Sequence, residues 1–349
     1  MRPSGIYDTR YSQDMAIIRT WQHWLALIGA LLILYTIPLF GSYYLISLIN
    51  SLSIIIIVIL GLQIVTGYCG QISFGQPAFM AVGAYTSAIL TTTYGISFWI
   101  ALPLSGIAAG IAGIIGGAPS LRIKGFYLAM ATLAAHFVIM YIIIHLKITG
   151  GDQGMNPPPP QIGGIIVFDR GETIYYVIVT TMLILTFTAR NLIRSKIGRA
   201  FIAIKDNDLA AEVMGVNLYY YKLLAFFISC VYAGLGGALW AHYYMIVHPE
   251  QFTIMHAVWY VGMVIIGGMG SIPGVFFGVI FVRFLDEIVL FSSPILSDLF
   301  PWMGPEPGAA LGLCAFGIVL IIFIIFEPRG LSHRWEIIKE SYRLYPFAY

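Results

Sequence analysis

Two uncharged, glycine-rich interruptions and one basic stretch hold the residue types in this chain that could do chemistry. The first interruption reads Gly67-Tyr68-Cys69-Gly70-Gln71-Ile72-Ser73-Phe74-Gly75-Gln76-Pro77 and sits between two apolar runs. Glycine permits backbone that is not helical, and Pro77 suits the first turn of a helix. Irregular backbone at membrane depth survives only inside protein or along a wet cavity, and broken helices there often present amide groups to a polar substrate. Gly67, Gly70, Gln71, Ser73, Phe74, Gly75 and Gln76 are therefore candidate pathway residues, with an uncharged surface turn as the alternative.

The second interruption, Gly267-Gly268-Met269-Gly270-Ser271-Ile272-Pro273-Gly274, adds Gly268, Gly270 and Gly274 as pathway candidates. Gly270, Gly274 and Gly278 recur every four residues, so in a continuous helix they share a face that another helix can approach closely. No GKS or GKT follows and no strand precedes, which excludes a Walker loop. Gly106 and Gly110 read as packing glycines on one helix face.

The basic stretch runs from Ser195 to Val216. Asp208 can cap a short helix through Met214, and Gly215 can end it. Ala210 and Ala211 leave room for a partner to approach, and Gly198, Arg199 and Glu212 complete the candidate docking set. A short amphipathic helix on a basic loop suits docking to another protein; a loop lying on lipid is the alternative.

The remaining polar groups in apolar surroundings carry weaker signals. Arg283 and Glu287, four apart, can pair on one helix face beside Asp286. A short half-helix from Gly274 to Val282 would leave these charges near the external interface, a reading preferred to a proton or ion relay. His136 reads as a satisfied bundle histidine, and His242, His248 and His256 are too scattered for a metal site. Cys69, Cys230 and Cys314 show no metal-ligand spacing and read as buried free thiols. No metal, cofactor or catalytic residue is expected: the chain carries no hydrolase, protease or redox signature, and without a Walker loop it is no ATPase by itself.

Composition says what must position these segments. The 349 residues are 59% hydrophobic and only 10% charged, with a mean hydropathy of +0.87. Soluble proteins carry about 25% charged residues, so lipid surrounds most of this chain. A net charge of +2 without a dense basic run gives no reason to expect nucleic-acid binding. The fold class is all-α integral membrane protein, with about ten transmembrane helices or half-helices near 24–40, 45–66, 77–93, 97–117, 126–146, 174–189, 221–244, 257–268, 275–291 and 309–326. Unbroken runs such as Ile54 to Leu60 exclude the alternation of a β-barrel. Spans 77–93 and 257–268 adjoin the interruptions and are the candidates for half-helices.

Basic residues collect in loop 190–222, in loop 118–125 (Arg122, Lys124), at the N-terminus (Arg2, Arg10, Arg19) and in the C-terminal tail. The positive-inside rule then puts both termini and loop 190–222 in the cytoplasm. Residues 1–23 form a cytoplasmic segment, 24–326 the transmembrane domain with its loop at 190–221, and 327–349 a cytoplasmic tail. Segment 147–173, with Pro157 to Pro160, is the longest external loop and is too short for a domain.

Taken in order, these segments resemble the LivM-type permease of branched-chain amino acid ABC importers over roughly residues 45–331. Residues 67–86, GYCGQISFGQPAFMAVGAYT, are similar to that family's GxxGxxSFGHAAFxGxGAY, with Gln76-Pro77 where His-Ala is usual. Residues 122–134, RIKGFYLAMATLA, residues 149–155, TGGDQGM, residues 196–238 ending AGLGGA, residues 266–278, and the terminal Phe326-Glu327-Pro328-Arg329-Gly330-Leu331 continue the match. The resemblance implies an ABC importer permease bundle in a cell's inner membrane. It also implies partners: a second, LivH-type permease, two cytoplasmic ATP-binding subunits, an extracytoplasmic substrate-binding protein and membrane lipid. Loop 196–216 would be the element docked on an ATPase. The substrate class implied is leucine, isoleucine and valine. A urea or short-chain amide importer, or an ion-coupled secondary transporter, are the alternatives.

Overall fold

The computed structural model describes residues 21–117, 125–162, 166–167, 171–299 and 307–344. Arg2, Arg10, Arg19, Arg122 and Lys124, which set the expected orientation in part, lie outside the described residues.

Each of the ten expected apolar runs is a helix. They are α1 (Trp21–Phe40), α2 (Tyr43–Leu62), α3 (Gln76–Thr92), α4 (Phe98–Gly117), α5 (Phe126–His145) and α6 (Gly171–Arg194). After two short helices, α7 (Lys196–Asp206) and α8 (Asp208–Val213), come α9 (Leu218–Tyr244), α10 (Ile254–Gly267), α11 (Ile272–Leu299) and α12 (Pro307–Phe326). A further helix, α13 (Leu331–Leu344), follows the last apolar run where only a tail was expected. The described strands are a two-residue hairpin, β1 (Gln161–Ile162) with β2 (Ile166–Val167). The protein is thus an all-α, multi-pass membrane protein.

Five helices are each long and apolar enough to cross a membrane: Tyr43–Tyr68, Phe98–Gly117, Tyr127–His145, Gly171–Arg194 and Leu218–Tyr244. A sixth crossing combines α12 with α13 across a 48° bend at residues 327–330. With 17 residues α3 reaches about 25 Å, and with 14 residues α10 reaches about 21 Å. Both fall short of a hydrocarbon core of about 30 Å. These are the two spans that the sequence marked as candidate half-helices.

The bundle is built around α9, whose glycines admit three neighbours. A methyl group on Gly234 would meet Ser105 and Ala109 of α4, one on Gly236 would strike Val58 of α2, and one on Gly237 would overlap the Met80 carbonyl of α3. Lipid gives apolar helices no hydrophobic reason to associate, so small residues that allow close backbone approach do that work. Gly106 and Gly110 serve the same contact from α4, against Leu235, Val231 and Phe227.

The two ends of the bundle differ. At one end Lys205 and the α7–α8 loop close over both glycine-rich interruptions. At the other, loop 147–170 folds back onto the helices. His242 bonds Pro158 through Nδ1 at 2.8 Å and Ser87 through Nε2 at 2.9 Å, the Tyr85 hydroxyl donates to the Val247 carbonyl, and Met155 bridges Val247.

Three expectations give way here. The charges Arg283, Asp286 and Glu287 do not end a half-helix: α11 is one continuous 28-residue helix. Arg283 pairs with Glu287 at 3.1 Å, and this neutralised pair lets the helix run on. His136 is buried but not satisfied, because its Nδ1 has no partner among the described residues. Cys69 and Cys230 are buried, whereas Cys314 faces outward from α12.

Candidate functional site

The α2 helix does not stop at Leu62. Its last six residues, Gln63–Tyr68, form a π-helical turn, which inserts one extra residue and commonly marks a functional position. Its carbonyls are left short of helical partners, and side chains from distant segments reach them. Lys205 of α7 donates from Nζ to the Gly67 carbonyl at 2.7 Å. Gln63, buried inside the turn, donates from Nε2 to the carbonyls of Gly268 and Ser271, both at 3.0 Å. The two interruptions, some 200 residues apart in sequence, are therefore in contact, and α7 is pinned on the same spot.

Glycine at these positions allows the approach. A methyl group on Gly67 would lie 2.7 Å from the Gly270 nitrogen. Gly268 and Gly270 take φ of +113° and +86°, a region that side chains disfavour. Gly274 and Gly278 lie on the α11 face that meets α10, backbone against backbone at Gly267 and Met263. Gly270 precedes α11 rather than lying on it, so the expected three-glycine stripe holds only for Gly274 and Gly278. From the opposite side, Gly330 packs on Gly268, so the bend between α12 and α13 braces the second interruption.

The first interruption is held internally. Thr66 donates to the Gln71 carbonyl at 3.0 Å, the Phe74 backbone N–H donates to Thr132 of α5 at 3.0 Å, and the Gly75 N–H donates to Ser73. Gln76 donates to the carbonyls of Val58 and Ser229 and accepts from the Ser229 hydroxyl. Its amide is spent on clamping α2, α3 and α9 together. Gln71 is different: it is only 4% exposed, and both amide atoms lack a partner among the described residues. Of the candidate pathway residues, Gly70 and Gln71 line one cleft of about 350 Å³, and Gly270 lines another of about 540 Å³ with Tyr68, Arg190 and Glu336. Gly67, Ser73, Gly75, Gln76, Gly268 and Gly274 are covered by protein. Burial pushes the Cys69 thiol up to about 12, which keeps it a neutral packing group.

The docking candidates divide by face. Asn207, not Asp208, caps α8: its backbone is extended and its Oδ1 accepts from the Ala210 N–H at 3.1 Å. Asp208 becomes the first helical residue and stands 3.9 Å from Lys222. Gly215 ends the segment at φ +85°, as expected. Ala211 turns inward and is buried, while Ala210 and Glu212 stay exposed. Leu209, Val213 and Met214 are also exposed, the last two by more than four-fifths. Gly198 is buried against Ile193, and Arg199 lies on the surface and donates to the Arg194 carbonyl.

Sequence reasoning missed Gln63, Lys205 and Gly330 as members of the junction. A polar Gln63 inside an otherwise apolar run was the available signal, since such residues are costly in lipid and seek partners. No descriptive pattern placed Lys205.

Comparison with known proteins agrees with this layout. Residues 44–324 match the family described as "Branched-chain amino acid transport system / permease component". The chain is 29% identical over 331 residues to the high-affinity branched-chain amino acid transport system permease protein LivM of Escherichia coli K12, covering 88% of this chain and 74% of that protein. It is 22% identical to LivH of the same organism, over 81% of this chain and 92% of that one. The guanosine ABC transporter permease protein NupQ of Bacillus subtilis is 26% identical, over 49% of this chain. No solved structure matches.

Proposed function

This chain belongs to the branched-chain amino acid transport permease family, and we propose that it forms half of the translocation pathway of an ATP-driven importer of leucine, isoleucine and valine. The other half is a LivH-type permease, two cytoplasmic ATPases drive the cycle, and an extracytoplasmic binding protein delivers substrate. The observation that carries this reading is the Lys205 bond to Gly67, which ties the basic loop to the point where both interruptions meet.

The orientation follows from charge. Arg190, Arg194, Lys196, Arg199, Lys205 and Lys222 gather at the α7–α8 end, so that end and both termini face the cytoplasm of an inner membrane. An ATPase docked on α8 would press on Leu209, Val213 and Met214, and the displacement would pass through α7 and Lys205 to Gly67. Opening and closing at the junction would then alternate the pathway between its two sides. Gly67, Gly70, Gln71, Ser73, Phe74, Gly75, Gln76, Gly268, Gly270 and Gly274 make up or support that junction. No covalent step on the substrate is involved.

Two measurements test this. Proteoliposomes holding the purified complex are expected to take up leucine only with ATP and binding protein, with isoleucine and valine competing and guanosine, urea and short amides not. Uptake by this chain alone without ATP would instead favour an ion-coupled carrier. For the docking element, a cysteine at Ala210 or Glu212 is expected to cross-link to an ATPase subunit. Failure at both positions in an intact complex would remove α8 as the docking helix.

A further inference from the structure

The cleft of about 350 Å³ at the loop end lies between the first interruption, the start of α5, the end of α7 and the start of α9. Its volume is in the range of small-molecule sites, roughly 300–1,000 Å³. Its described lining includes Lys205 and Lys222 as cations and Asp206 and Asp208 as carboxylates. These balance, which favours neither a phosphate nor a metal ion. No group of three or more metal-ligating side chains occurs among the described residues.

Gln71 lines this cleft, is 4% exposed, and leaves both Oε1 and Nε2 without a partner. A buried amide left unbonded costs about 1–3 kcal/mol for each unmet group. Its neighbours have settled their bonding: the Gln71 backbone N–H and carbonyl are both taken, by Val65 and Thr66. The free side-chain amide offers a donor and an acceptor on one planar group. Those are the complements of a carboxylate and an ammonium.

We propose that this cleft binds a small zwitterion, an α-amino acid, arriving from the loop side. Its ammonium is held by Asp206 and the Gln71 Oε1, and its carboxylate by Lys222 and the Gln71 Nε2, after a rotamer change turns that amide into the cleft. Gln71 belongs to the first interruption and Asp206 to α7, so one ligand bridges the bundle and the loop that moves against it. Occupancy adds a second tie beside the Lys205–Gly67 bond and resists displacement of α7. Transported amino acid accumulating on the loop side would therefore slow its own import. The charge class of the ligand stands on the lining alone; leucine as the probe and the cytoplasmic side rest on the function proposed above.

The test uses the intact complex in lipid nanodiscs without nucleotide and a diazirine analogue of leucine, with labelled peptides mapped by mass spectrometry. Label is expected on peptides carrying residues 69–71 or 204–208. Leucine should suppress it, while 4-methylpentanoate, 3-methylbutylamine and inorganic phosphate each compete at least about tenfold more weakly, and Asp206→Asn should lower it about tenfold. Label confined to other peptides would overturn the site. Equal competition by the lone carboxylate, the lone amine or phosphate would overturn the zwitterion. ATP-driven leucine uptake that persists without label here sinks this inference alone, whereas label here without such uptake sinks the importer reading instead.

Discussion

Replacing Gly67 with leucine is expected to abolish ATP-driven uptake while the subunits still assemble. A side chain at 67 runs into the Gly270 nitrogen at 2.7 Å and the Gln63 side-chain amide at 2.8 Å. Neither can step aside cheaply: the first is backbone, and the second is fixed by its bonds to Gly268 and Ser271. Forcing extra carbons into such a contact costs about 1–3 kcal/mol. The two interruptions would part, and the Gly67 carbonyl would shift from Lys205. The α9-centred packing, made by other glycines, is untouched. Gly29→Leu is the control, because nothing lies near that position. Uptake per assembled complex, with size-exclusion elution as the check on assembly, decides the matter. Native uptake by the Gly67 variant would show that contact between the interruptions is dispensable.

Lys205→Met should uncouple the transporter. The variant keeps the stem of the side chain but loses the ammonium that donates to Gly67 at 2.7 Å. Hydrogen bonds from charged groups are worth roughly 1.5–3 kcal/mol, which corresponds to at least about a tenfold loss in the fraction of complexes with α7 pinned. The exposed tip of α8 is unchanged, so the ATPases should still bind and hydrolyse ATP. Amino acid moved per ATP is expected to fall about tenfold, with Lys205→Arg restoring part of it. An unchanged ratio would mean that force reaches the junction by another route.

The helices were readable because lipid enforces long apolar runs, and each expected run became one helix. The short helices α3 and α10 were readable for the same reason, since the interruptions cut into their length. Contacts between distant segments left no periodic trace. Nothing in the spacing of Gly67 and Gly270 says that they touch, and only Gln63, a polar residue in a solid apolar run, hinted at it. The half-helix ending at Val282 failed because charge was taken as a boundary, although a pair four residues apart can travel within a helix. Asn207 displaced Asp208 as the cap because α7 ends at Asp206 and the turn between the helices fell one residue earlier. Ala211 faces inward because a helix this short has one buried side, and its exposed apolar residues are Leu209, Val213 and Met214 instead.

The π-helical turn at Gln63–Tyr68 sets a rule for how this sequence can drift. Each residue added to or removed from a helix rotates all that follows by about 100°. A single codon lost between Ile54 and Tyr68 could be absorbed by converting the π turn to ordinary helix, but Gly67 would then point away from Gly270. A codon gained there has no second wide turn to absorb it. Insertions and deletions among descendants of this chain should therefore spare this stretch and accumulate in connections such as 147–170. The spacing between Gln63 and Gly67 should outlast the identities of the apolar residues around them.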